Sequence, residues 1–181
     1  GLPEMGVLRE SDASWYMREE AGGLLLGPYE VGAPACYVKG PAANSEYELF
    51  PDALERLEPY ILSAMARVPA LATAGVKTVV NGPITFTPDA NPLIGPAHGA
   101  PNAWLLTGSS MGIMEGGGAG KFLAHWMTHG APPMDALAVD SRRFGPWADR
   151  AYRVDKAIEC FGLQFGVHYP FEERPAARNL R

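Results

Sequence analysis

The stretch Thr107-Gly-Ser-Ser-Met-Gly-Ile-Met-Glu-Gly-Gly-Gly-Ala-Gly-Lys121 constrains this chain more than any other, because six of its fifteen residues are glycine. It leads from an apolar run, Ala103-Trp-Leu-Leu106, into an amphipathic one, Phe122-Leu-Ala-His-Trp-Met127. The order reads as strand, glycine-rich turn, helix. Each glycine costs backbone entropy and offers no side chain to a core, so the cluster is poorly explained by packing alone. A turn that opens a helix presents unpaired N–H groups and the positive end of the helix dipole, a setting that suits an electron-rich ligand. The same composition also suits a flexible strand-to-helix crossing that binds nothing.

The ordinary phosphate-binding signatures do not fit. A P-loop needs Gly-Lys followed by Ser or Thr, whereas Lys121 is followed by Phe122. The dinucleotide fingerprint needs an acidic residue on a second strand, and none follows. Gly-Ser-Ser-Met-Gly is not a GxSxG nucleophile elbow, so Ser109 and Ser110 do not announce a hydrolase. His98, His125, His129 and His168 are scattered, and the one i, i+4 pair lacks the Glu that a zinc-protease helix carries after its first His. No metal site is expected. Tyr16 and Arg18 share one face of a predicted strand, where a phenol and a guanidinium could receive a carboxylate, or simply form a solvated strand face. Arg142-Arg143 and Glu172-Glu173-Arg174 read as solvated or salt-bridged charges.

With 47% hydrophobic and 19% charged residues the sequence is that of a folded protein, and no apolar run approaches the ~20 residues of a membrane helix. A formal net charge of −5 gives no reason to expect nucleic acid or an anionic membrane as partner. Cys36 and Cys160 stand far apart without a CxxC, which indicates no disulfide framework and makes a reducing cytoplasm the default expectation. The first residues carry no targeting pattern and no initiator methionine, and the last ten have linker composition; both ends are expected to lie inside a longer chain.

Along the chain, Ser14 to Arg18 and Gly23 to Leu26 predict a hairpin with a glycine-containing loop, with Trp15 and Met17 on one face and Tyr16 and Arg18 on the other. Residues 28 to 50, rich in Gly, Pro and Ala, predict an irregular connection. Pro51 to Pro59 predicts a helix, and Leu54, Leu57, Ile61, Met65 and Val68 carry its apolar stripe past a break or kink at Pro59. The β-branched run Gly75 to Thr87 predicts two strands or one bent strand, followed by a turn at Pro88 to Asn91 and the short run Pro92-Leu-Ile-Gly95. A helix should end near His129-Gly130, and a last one should cover about Ala148 to Cys160.

Three strings together go beyond pattern. Val79-Val-Asn-Gly-Pro-Ile-Thr-Phe-Thr-Pro-Asp-Ala-Asn-Pro-Leu-Ile-Gly-Pro96, the 107 to 121 segment, and Arg142-Arg-Phe-Gly-Pro146 with His168-Tyr-Pro-Phe-Glu-Glu-Arg-Pro175 resemble the dimethylglycine and sarcosine dehydrogenase family. Val7-Leu-Arg9, Trp15-Tyr-Met-Arg-Glu19 and Gly22-Gly-Leu-Leu-Leu-Gly-Pro-Tyr-Glu30 fit the same resemblance, which covers nearly the whole chain in order.

The resemblance implies an α+β, partial D-amino-acid-oxidase-like fold: a mixed β-sheet, a strand, glycine-rich turn and helix that contact flavin, and a C-terminal helix and linker. It places residues 1–138 in the second half of an FAD-dependent oxidase domain and residues 139–181 at the start of its central domain. The N-terminal FAD-binding half would lie outside this chain, as would a folate domain that passes the one-carbon unit to tetrahydrofolate. The implied activity is FAD-dependent oxidation of N-methyl groups of dimethylglycine, sarcosine or a similar N-methylated amino acid, cytoplasmic or, in a eukaryote, in the mitochondrial matrix. The alternative is a noncatalytic scaffold or regulatory subunit with the same fold.

By the same resemblance Gly108, Ser109, Ser110, Met111, Gly112 and Ile113 form the late flavin-contacting loop, and their backbone amides would favour negative charge on the flavin ring. Ser109 stands where an aromatic residue is frequent. Tyr16 matches a strand tyrosine on the substrate side and is the candidate catalytic residue. Ala90 replaces a more usual glycine, a change expected to be tolerable if its φ is negative.

Overall fold

The predicted hairpin forms where β-type residues flank Ala21-Gly22. In the computed structural model, which describes residues 5–167 and 169–170, β1 (Leu8–Glu10), β2 (Trp15–Glu20) and β3 (Gly23–Pro28) make an antiparallel sheet in the order β1-β2-β3. Ala21 (φ 49°) and Gly22 (φ 76°) both take left-handed backbone, the turn geometry that matches the twist of paired strands. Register sets Trp15 opposite Pro28 and Glu20 opposite Gly23, so the alternating side chains fall on opposite faces as expected.

One face of that sheet is the core of a first unit, which comprises the chain up to residue 83 and returns at residue 161. Trp15 and Met17 are fully buried there against Ala64 of α1 (Leu54–Arg67), and Trp15 Nε1 donates to Ser63 Oγ at 3.0 Å. Burying two such side chains is worth about 1.5–3 kcal/mol each. The stripe read from the sequence is rotated slightly: Leu54 is exposed, and Ala64, whose small side chain lets helix and sheet approach, holds the centre. Pro59 does not break α1. It stands sixth in the helix, where it removes a single bond, the one to the carbonyl of Glu55, and that exposed carbonyl is open to water.

Residues 29–53 are irregular, as their composition requires. The run Gly75 to Thr87, expected as strand, contains no ladder. Its contacts are single ones: Phe50 N–H donates to the Asn81 carbonyl at 2.7 Å, and Asn81 Nδ2 donates to the Pro51 carbonyl at 2.7 Å. β propensity reports a side chain's fit to a pleated neighbour, and among the described residues no neighbouring strand is supplied.

The second unit runs over residues 84–160. β4 (Leu93–Pro96) and β5 (Trp104–Thr107) pair antiparallel, and one parallel bridge joins Ile94 to Asp140. α2 (Gly112–His129) follows β5 and ends on left-handed Gly130. Trp126 of α2 packs on β4, so closely that a Cβ on Gly95 would stand 2.7 Å from its ring. α3 (Arg150–Gly162) closes the series, and buried Cys160 donates its thiol hydrogen to the Pro88 carbonyl at 3.1 Å. The architecture is α+β. His168 of the sequence strings, and the Glu172-Glu173-Arg174 cluster, lie outside the described residues.

Candidate functional site

The turn between β5 and α2 is narrower than its glycine count suggests. α2 begins at Gly112, so Gly112, Gly116, Gly117, Gly118 and Gly120 are helical and only Gly108 belongs to the turn proper. This corrects the picture of one long glycine-rich turn. Helical glycines cost about 0.5–1 kcal/mol each relative to alanine, and α2 carries five of them.

Gly108 has two independent reasons to be glycine. Its φ is 75°, and a Cβ there would stand 2.7 Å from Thr87 Cγ2. Thr87 is itself fixed: its hydroxyl donates to the Asn91 carbonyl at 2.7 Å and lies 3.1 Å from Asp89 Oδ1. Arg143 then clamps this turn from outside, with Nε at 2.7 Å from Asp89 Oδ2 and Nη2 at 2.8 Å from Oδ1. Nη2 also reaches the Asn91 carbonyl at 2.8 Å, and Nη1 the Asp140 carbonyl at 3.0 Å. Burial alone would raise the Asp89 carboxyl, but hydrogen bonds from Arg143, the Asn91 N–H and Thr87 outweigh it and hold the group below the usual carboxylate range. Asp140, bonded by Arg142, is held low as well.

The 87–91 turn is thus a rigid bed for Gly108, and Gly108 aims the chain into α2. Ser109, Ser110 and Met111 are half-buried, while Gly112 and Ile113 are exposed. Met111 is the N-cap, and no side chain caps the helix. An uncapped N-terminus leaves N–H donors and the positive dipole end for another electron-rich group, so the donor set fits one. Thr87, Asp89 and Arg143 were not singled out as site residues from the sequence. Thr-Pro-Asp-Ala-Asn signalled a turn, but nothing local pairs it with an arginine on a distant segment.

Tyr16 belongs to the first unit, the 108–113 turn to the second. Its ring lies over Gly27, where a Cβ would come within 2.2 Å, and meets Phe165 edge-on with centroids 5.7 Å apart. Tyr29 joins the same group, 4.6 Å from Phe165, and burial followed by the neighbouring Tyr16 raises its phenol pKa. Arg9 stacks on Phe165 and donates to its carbonyl at 3.1 Å. Arg18, the predicted companion of Tyr16, pairs with Glu20 on the exposed strand end. His125 and His129 stack at 4.1 Å near the C-terminus of α2.

The model of the FAD dependent oxidoreductase family matches residues 1–126, well over half of the chain. The chain belongs to this family. The model of the FAD dependent oxidoreductase central domain matches residues 129–181. Among curated proteins it is similar to mouse mitochondrial dimethylglycine dehydrogenase, 42% identical over 97% of the chain and 21% of the relative. Mouse mitochondrial sarcosine dehydrogenase is 35% identical over 100% of the chain and 20% of the relative. The mouse mitochondrial pyruvate dehydrogenase phosphatase regulatory subunit is 32% identical over 95% of the chain and 20% of the relative. The chain therefore spans about a fifth of the length of these relatives. The expected family and its α+β class both stand.

Proposed function

We propose that this chain is part of an FAD-dependent amine oxidoreductase that oxidises N-methyl groups of dimethylglycine, sarcosine or a similar N-methylated amino acid. The observation that carries the reading is the Gly108 turn: left-handed, held by Thr87 and opening an uncapped helix, in a chain of an FAD-dependent family. FAD, when bound, supplies the two-electron acceptor for breaking an N-methyl C–H bond. Gly108 to Ile113 would hold it through their backbone N–H groups, fixed donors that would favour negative charge on the cofactor without reorganising. Thr87, Asp89 and Arg143 act as positioning residues that keep the turn in place. Tyr16 would orient the substrate, and a region outside these residues would supply the tetrahydrofolate that captures the one-carbon unit. Residues 1–138 form the end of the oxidase domain and residues 139–181 the start of the central domain. The mitochondrial names of the relatives support a mitochondrial matrix location in a eukaryotic source.

A second reading, a regulatory subunit without oxidase activity, is favoured by the similarity to the phosphatase regulatory subunit. One experiment separates them. Full-length protein loaded with FAD is mixed anaerobically with dimethylglycine or sarcosine, and the visible absorbance of the flavin is followed. Bleaching is expected, slowed at saturating substrate or shifted to higher substrate in Tyr16→Phe. A folded, flavin-loaded protein that does not bleach would turn the conclusion to the regulatory reading.

A further inference from the structure

Ala90 stands within the 87–91 turn at a φ of 64°, a left-handed conformation that a non-glycine residue keeps only where its surroundings over-determine it. Those surroundings come from far along the chain. On one side Arg143 grips the Asp89 carboxylate with Nε and Nη2 and the Asn91 carbonyl with Nη2. On the other, the Pro88 carbonyl accepts the thiol hydrogen of buried Cys160 at 3.1 Å. The strand that follows the turn is held by the same stretch: Ile94 N–H donates to the Val139 carbonyl at 2.8 Å, and the Ser141 hydroxyl donates to the Pro96 carbonyl. Residues 139, 141, 143 and 160 lie in the stretch matched by the central-domain model, whereas the turn, β4 and Gly108 lie in the stretch matched by the oxidoreductase model. All of them fall in the one compact unit 84–160, so the boundary between the two matches runs through a packed body.

We propose that Arg143 and Cys160 are positioning residues through which the central-domain stretch sets the reduction potential of the flavin. The proposal rests on the reading of residues 108–113 as a flavin-contacting loop. Neither residue belongs to that loop. Each acts on it through the turn, whose Thr87 methyl fills the space that a Cβ on Gly108 would need. Fixed donors favour developing negative charge because they need no reorganisation, so a bed that yields weakens the preference for reduced flavin. Clamps on both sides of a strained residue keep the bed from yielding, and removing either lets Ala90 relax toward negative φ.

The test is an anaerobic redox titration of full-length, FAD-loaded protein against reference dyes, with thermal melting measured alongside. Cys160→Ala removes the thiol donor and Cys160→Ser puts a hydroxyl in its place; Arg143→Ala and Arg143→Lys make the second pair. Each alanine variant is expected to lose about tenfold in preference for reduced over oxidised flavin, a fall of about 30 mV for a two-electron couple. Cys160→Ser should recover more than half of that loss. Arg143→Lys should recover less, since an ammonium does not reproduce the guanidinium fork across Asp89 and Asn91. If an alanine variant does not fold, a lowered potential in Arg143→Lys carries the test. Melting temperatures that fall while every potential stays at the parent value would overturn the proposal, as would equal shifts in Cys160→Ser and Cys160→Ala. Gly112→Val probes the loop directly, because Gly112 is exposed and a Cβ there meets only Ser109, at 3.8 Å. A changed potential or flavin dissociation in that variant, with none in the others, rejects this proposal alone; no change in any variant rejects the flavin-contacting loop with it.

Discussion

Ala90 carries strain. A negative φ was the condition under which alanine could replace glycine there, and the observed value is 64°, in the left-handed region. Such backbone costs a non-glycine residue about 1–2 kcal/mol, against which glycine's greater unfolded entropy offsets part. Ala90→Gly should therefore raise stability by about 0.5–1 kcal/mol, seen as a higher denaturant midpoint at unchanged slope. Its neighbour Asp89 sets a pH dependence. A carboxyl whose folded pKa is depressed contributes stability present above its unfolded value, ~3.9, and lost as pH falls through the depressed folded value. Asp89→Asn should cost roughly 2 kcal/mol at pH near 7, because it leaves Arg143, only 10% exposed, with weakened partners. Urea unfolding at about pH 7 and about pH 3 checks this: the gap between variant and parent should narrow at the acid end, and an equal gap at both would remove the ion pair as its source. The turn itself was legible, since Pro, Asp and Asn each favour one. Its clamp was not, because Arg143 is 54 positions away and adjacent to the exposed Arg142 with the same charge.

At the scale of elements, legibility followed the number of signals that agreed. The β2–β3 hairpin had alternation and a glycine turn, and α2 had its stop at Gly130; both stand where the sequence put them. Gly116 to Gly118 misled, because glycine signals a turn locally, whereas α2 runs through all three. The run from Gly75 to Thr87 misled in the opposite direction, since strand residues without a partner strand remain unpaired. Pro59 misled least: it is inside α1, and the helix tolerates it near its first turn. Pro59→Ala restores the N–H to the Glu55 carbonyl and should stabilise the protein by roughly 1–3 kcal/mol. A thermal scan with no upward shift would mean that α1 already frays N-terminal to residue 59.

For the molecule as a whole, the family was readable because strings scattered over the chain agreed in order, whereas the division into units was not. The first unit is discontinuous: Ser14 Oγ donates to the Tyr29 carbonyl at 3.0 Å and lies 3.4 Å from the Gly162 carbonyl, 148 residues further along the chain. Phe161 and Phe165 likewise come back to stack on Tyr29. No composition shift marks such a return, because a closing segment needs only a few aromatic contacts. During synthesis this has a temporal meaning. At about 5–20 residues per second, roughly 7–27 s pass between emergence of the hairpin and of the segment that covers its second face. For that interval Tyr16 and Tyr29 lack the aromatic partners that Phe161 and Phe165 supply in the finished chain.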